Sequence, residues 1–223
     1  TALARLDENG AASYTFDLEW APTAPIEVPE TAQIIEAGSI SAIIEPGASA
    51  VLDALARGRE HALICFDPNA RPSIMGEPAA ALASLERFVA LADVIKVSDE
   101  DIDWLTGGAP IDEVVDRWLG MGVSLVVVTR GKHGSEVAMA SGLRFTKTPS
   151  DVEVVDTVGA GDSFMGGMID AMWGMGLRGA DAREALCTLP EEQIRAIIDR
   201  ASAVSDVTVS RKGANPPWAH ELS

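Results

Sequence analysis

Cationic residues are scarce in this chain. Lys and Arg number 17 against 34 Asp and Glu, a formal net charge of −17 over 223 residues. That balance argues against a broad basic face for nucleic acid or an anionic membrane. An anionic ligand must instead be held by local amides, a few basic side chains and metal ions. Cysteine is nearly absent: Cys65 and Cys187 lie far apart, without metal-ligand spacing, and read as two buried thiols. The three histidines, His61, His133 and His220, fit no motif. No apolar run approaches membrane-spanning length and no signal peptide is visible, so the expected location is cytoplasmic. What is present is a globular mix, 47% apolar and 23% charged, enough for one sizeable α/β core.

Taken in order, Thr1 to Leu6 and Ala12 to Trp20 read as two strands about an Asn9-Gly10 turn, with Tyr14, Phe16, Leu18 and Trp20 on one face. Further strands are expected at 31–35, 62–66, 93–97, 125–128, 136–140 and 143–147, the last two antiparallel, and at 152–155. Helices are expected at 46–57, 77–91, from 98 to the Gly107-Gly108 pair, at 111–119, from the 159–161 turn to about Met175, and from Pro190 to about Val209. Short buried strands alternating with helices predict a mainly parallel sheet covered on both faces. Ligands of such sheets bind at the carboxyl ends of the strands. Four polar or glycine-rich loops fall at such ends: 67–71, 98–101, 129–131 and the segment after Val155.

That last segment, Asp156-Thr157-Val158-Gly159-Ala160-Gly161-Asp162-Ser163-Phe164, organises the chain. Glycines at a turn into a helix let the backbone approach a ligand. The first N–H groups of the helix are unpaired and carry roughly half a positive charge, a ready site for phosphate. Asp162 falls in the first turn beside it, where a carboxylate can take a proton from a hydroxyl nucleophile. With Gly166-Gly167 following, this string resembles the C-terminal signature of the ribokinase-like (PfkB) carbohydrate kinases. The resemblance implies an α/β fold, a ribokinase-like three-layer sandwich with a small β lid: residues 1–20 as lid hairpin and 21–223 as core. It implies Asp162 as catalytic base and the amides of Gly159, Ala160 and Gly161 as the anion hole. ATP and magnesium follow as cofactors, with potassium as a further cation.

Other roles rest on the same resemblance. Thr129-Arg130-Gly131-x-x-Gly134 is similar to the family's nucleotide-phosphate strand end, with a hairpin turn as the plain alternative. Asp101, in Ser98-Asp99-Glu100-Asp101, stands where many members carry the Glu of Asn-x-x-Glu, and implies a magnesium contact through water; a helix cap is the alternative. Asp156 and Thr157, with the loop at Gly213-Ala214, imply a monovalent-cation site. Asp67-Pro68-Asn69-x-Arg71 resembles a segment of fructokinase-like and ketodeoxygluconate-kinase-like members, with Asn69 and Arg71 toward the substrate, as Tyr14 and Phe16 would be from the lid. Met165, Met168, Met172 and Met175 read as core packing.

The expected activity is transfer of the ATP γ-phosphoryl group to a sugar hydroxyl, with fructose as acceptor. A ketodeoxy acid sugar, ribose or a nucleoside is the alternative, as is a nucleotide-binding relative without turnover. A dinucleotide-binding enzyme would need Gly-x-Gly-x-x-Gly after an early strand, and none is found. The partners are then a sugar and ATP, with a homodimer formed through the lid's apolar face. The chain starts at Thr1, inside a strand pattern, and the family's substrate-gripping residues lie largely in an N-terminal part missing here. Residues 1–223 alone are therefore expected to be poorly soluble, to bind ADP weakly and to phosphorylate no sugar.

Overall fold

A computed structural model of the chain describes residues 2–6 and 12–16 through their backbone pairing and residues 18–222 in full. β1 (Ala2–Leu6) pairs antiparallel with β2 (Ala12–Phe16), Ala2 opposite Phe16. The expected Asn9-Gly10 turn and the side chains of Tyr14 and Phe16 lie outside the described residues.

The main sheet has six strands in the order β3 (Ile34–Gly38), β4 (Leu63–Asp67), β5 (Val94–Ser98), β6 (Leu125–Thr129), β7 (Ser135–Met139) and β8 (Arg144–Lys147). The first four run parallel, β7 returns antiparallel to β6, and β8 pairs antiparallel to β7. Between them run α1 (Gly47–Gly58), the single-turn α2 (Pro72–Met75), α3 (Pro78–Val89), α4 (Asp99–Thr106) and α5 (Ile111–Gly120). After β8 come α6 (Ala160–Gly174), α7 (Ala182–Cys187) and α8 (Glu191–Val209).

Strand alternation divides the core in two. Ile64, Phe66, Ile95, Val97, Val126 and Val128 face one way, onto Leu55, Leu85, Phe88, Ile102 and Trp118 from α1, α3, α4 and α5. Leu63, Cys65, Val94, Leu125 and Val127 face the other, onto Met165, Met168 and Met172 of α6 and Ile194, Ile197 and Ile198 of α8. These strands are almost continuous apolar runs, Lys96 being the exception before their polar ends, because both faces are covered. The result is three layers, as expected. Phe66 stacks on Phe88 with ring centroids 5.5 Å apart, worth about 0.5–1.5 kcal/mol beyond the area buried. At the amino ends of the strands, fully buried Asp93 binds Arg59 at 2.9 Å and Arg183 at 2.6 Å and accepts the Ile64 amide at 2.9 Å.

Several expectations need correction. No strand forms at 152–155. Val154 and Val155 are exposed, and the amides of Val155 and Asp156 donate to the Val209 carbonyl at 2.8 and 3.1 Å. A free carbonyl at the end of α8 thus takes the bonds a sheet partner would have taken. β3 lies three residues later than expected: Gly38, read as the stop, is inside the strand, where a Cβ would sit 1.9 Å from the Asp67 carbonyl oxygen. β2 ends at Phe16. Trp20 lies beyond it, against the start of α1, where the Gly47 amide donates to its carbonyl and a Cβ on Gly47 would meet its ring at 1.9 Å. Met175 caps α6 and is exposed, and Cys187 is only half-buried.

Candidate active site

The carboxyl ends of β3, β4 and β5 and the amino end of α6 meet in one crevice. Gly159 caps α6 with φ +77°, and a Cβ there would stand 2.8 Å from the Ala214 Cβ. Glycine is demanded twice, by the left-handed backbone and by the close approach of the 213–214 loop. Gly161 is helical and free of that backbone demand; a Cβ there would lie 2.8 Å from Lys96 Nζ. Asp162 falls in the first turn of α6. Its Oδ1 accepts from Asn69 Nδ2 at 3.1 Å, so the residue expected to be the base is held by a residue expected to face the substrate.

Asn69 is itself held under strain. It and Ser39 are the non-glycine residues with positive φ among the described residues, at 38° and 55°. They follow adjacent strands, and Ser39 Oγ donates to the Asn69 carbonyl at 3.1 Å. Strained backbone that the surrounding fold over-determines clusters at functional sites. Beneath lies an ion pair, Lys96 Nζ to Asp67 Oδ2 at 2.7 Å, with side chains 4% and 5% exposed. Burial pushes the Asp67 carboxyl above its ordinary range, with Lys96 opposing. Glu36, on the neighbouring strand and still open to solvent, is also raised, first by desolvation and then by the negative charges of Asp67 and Asp162.

Asp156 joins two loops. Its Oδ1 accepts from the Val158 amide at 3.0 Å and its Oδ2 from the Gly213 amide at 2.8 Å, and those two bonds hold its carboxyl below the usual range. The Thr157 carbonyl accepts the Ala160 amide at 3.1 Å, tightening the turn into α6. Asp101 closes a capping box with Ser98 and also accepts the Ala70 amide at 3.0 Å, which ties α4 to the 67–71 loop. Among the described residues, no group of three or more His, Cys, Asp or Glu could hold a metal ion.

The two arginines expected in the site, Arg71 toward the substrate and Arg130 at the nucleotide phosphates, are engaged by the chain itself. Arg71 donates to Asn69 Oδ1 at 2.6 Å and to the Ala70 carbonyl at 2.9 Å. Arg130 bonds Glu136 and lies 3.7 Å from Asp99. Thr129 Oγ1 donates to the Val97 carbonyl at 3.4 Å. Gly134 is required by the fold, since a Cβ there would lie 2.0 Å from the Lys147 carbonyl oxygen. Lys96 and Glu36 were not among the expected site residues. The available signals were a lysine inside the apolar run 94–97 and a glutamate inside 34–38.

A cleft of about 520 Å³ opens beside α6, lined by Gly159, Asp162, Gly166, Arg200, Ala214 and Pro217 among others. A pocket of this size is in the range that holds a small-molecule ligand. The model of the pfkB family carbohydrate kinases matches residues 5–221. The chain belongs to the pfkB family of carbohydrate kinases. A fructokinase of Rhizobium leguminosarum bv. trifolii is 36% identical over 174 residues, covering 74% of this chain and 52% of that protein. Probable fructokinase-4 of Arabidopsis thaliana is 34% identical over 194 residues, 86% of this chain and 56% of the relative. The chain thus spans about half the length of the curated relatives it matches. Among solved structures, the fructokinase with bound ATP from Xylella fastidiosa superposes with a TM-score of 0.78 at 26% identity, covering 96% of this chain and 69% of that one. The Vibrio cholerae fructokinase in its fructose-, ADP- and calcium-bound form gives 0.72 at 26% identity, covering 96% and 68%.

Proposed function

We propose that this chain carries the phosphoryl-transfer side of an ATP-dependent sugar kinase whose acceptor is fructose. The observation that carries the proposal is Asp162, set in the first turn of α6 and held by Asn69 beside the amides of Gly159, Ala160 and Gly161. In this reading Asp162 takes the proton of the attacking sugar hydroxyl. The amides and the positive end of α6 receive the negative charge on the transferring group. Positioning supplies most of the remaining acceleration.

Magnesium on the ATP phosphates would neutralise their charge when bound. Asp101 would meet it through water, because its oxygens already accept the Ala70 and Ser98 amides. Asp156, with its ionised carboxyl fixed between two loops, would support a potassium ion near Thr157 and Gly213. Thr129, Arg130, Gly131 and Gly134 would border the nucleotide phosphates. The location in keeping with a kinase that draws on metabolic ATP is the cytoplasm.

Fructose is favoured over a ketodeoxy acid sugar by charge as well as by likeness to fructokinases. Glu36, Asp67 and Asp162 stand against Lys96 at the strand ends, and a sugar carboxylate would be repelled there. The test is ADP release by the intact protein with ATP, magnesium and a panel of fructose, ribose, ketodeoxygluconate and a nucleoside. Fructose should give the highest kcat/KM. Preference for the acid sugar would contradict the charge reading, and no turnover with any acceptor would favour a nucleotide-binding relative without catalysis.

A further inference from the structure

We propose that Lys96 is a positioning residue for phosphoryl transfer: held by Asp67 beneath Gly161, its ammonium locks the first turn of α6 to the 67–71 loop, so that the Gly161 amide and Asp162 address the same point. The inference rests on the kinase reading above. The sequence directs attention to Arg71 and Arg130 as cations of the site, but Asn69, Glu136 and Asp99 engage those charges. Lys96 is the cation placed inside, 4% exposed, with Nζ 2.8 Å from where a Gly161 side chain would begin. Its partner Asp67 ends β4, two residues before the asparagine that holds Asp162. Among the described residues Asp67 Oδ1 has no hydrogen-bond partner, so the bond to Lys96 through Oδ2 is what secures this buried carboxylate.

A buried ion pair replaced as a whole by apolar groups of similar size is often neutral for stability, whereas removing one partner is costly. This separates positioning from mere structure. In the intact protein, Lys96→Met should lower both melting temperature and kcat. Adding Asp67→Leu should restore the melting temperature but leave kcat about 10–100-fold below wild type, with ADP affinity within a few-fold. If kcat returns with stability, the proposal fails. If the double variant does not fold, Asp67→Asn decides. Its Lys96 would be buried without a partner, facing Glu36 of β3 and Asp162 of α6, with Asp101 of α4 nearby, and burial would favour its neutral form. kcat should then fall with rising pH where the wild type is flat; a deficit independent of pH overturns the proposal. Wild-type protein without turnover sinks the kinase reading instead, which keeps the two failures distinct.

Discussion

Gly159 and Gly161 flank one alanine, yet the structure assigns them different costs on substitution. Gly159→Ala places a β-carbon on a backbone at φ +77° and 2.8 Å from the Ala214 Cβ. The left-handed conformation alone costs an L-residue roughly 1–2 kcal/mol. The contact must be relieved by moving the 213–214 loop, which Asp156 holds through the Gly213 amide, and overpacking of that kind costs about 1–3 kcal/mol. The sum is about 2–5 kcal/mol. At roughly 2–4 °C per kcal/mol for a domain of this size, the melting temperature should fall by about 4–20 °C. Gly161→Ala carries no such backbone strain, and alanine is the better helix former by about 1 kcal/mol. Its β-carbon meets only the end of the Lys96 side chain, so its melting temperature should stay within about 3 °C of wild type. Its kcat should nevertheless fall, with ADP affinity within a few-fold of wild type, because the added methyl shifts Lys96 beneath the anion-binding turn. Thermal melts and turnover assays on the intact protein read both effects. Equal melting temperatures for the two variants would refute the reasoning.

Asp93→Ala leaves two arginines and the Ile64 amide without their buried acceptor and should cost about 3–5 kcal/mol in denaturant unfolding, with the KM for ATP of the folded protein unchanged. Asp156 titrates below its ordinary 3.8, so its contribution to stability is complete above about pH 4 and is lost as pH falls through the lowered value. The difference in melting temperature between wild type and Asp156→Asn should therefore narrow as pH drops below 3.8; a constant difference would contradict the loop-joining role. For assembly, Leu18 remains 39% exposed, and light scattering at micromolar concentration should show a dimer formed through the lid. A monomer alone would count against it.

What the sequence disclosed follows from what is local. The runs at 63–66 and 125–128 announce doubly covered strands because burial on both faces leaves no polar position to confuse the period, and 94–97 does so with Lys96 as its one polar interruption. The 156–164 string was legible because a glycine turn, a helix start and an acid at fixed spacing form a local unit. Val152 to Val155 misled for the complementary reason: an apolar pattern does not say whether the backbone partner is a strand or the Val209 carbonyl. The Lys96–Asp67 ion pair escaped notice because it depends on which strands neighbour each other. Arg71 and Arg130 drew attention as free cations because sequence does not show that Asn69 and Glu136 already engage them.

Asp162, in the first turn of α6, is the proposed base. Its most direct test is the kcat of Asp162→Asn in the intact protein with ATP, magnesium and fructose, beside calorimetric ADP binding. Loss of a general base predicts a fall in kcat of roughly 10²–10⁴-fold with ADP affinity and melting temperature near wild type. A kcat within a few-fold of wild type would contradict it.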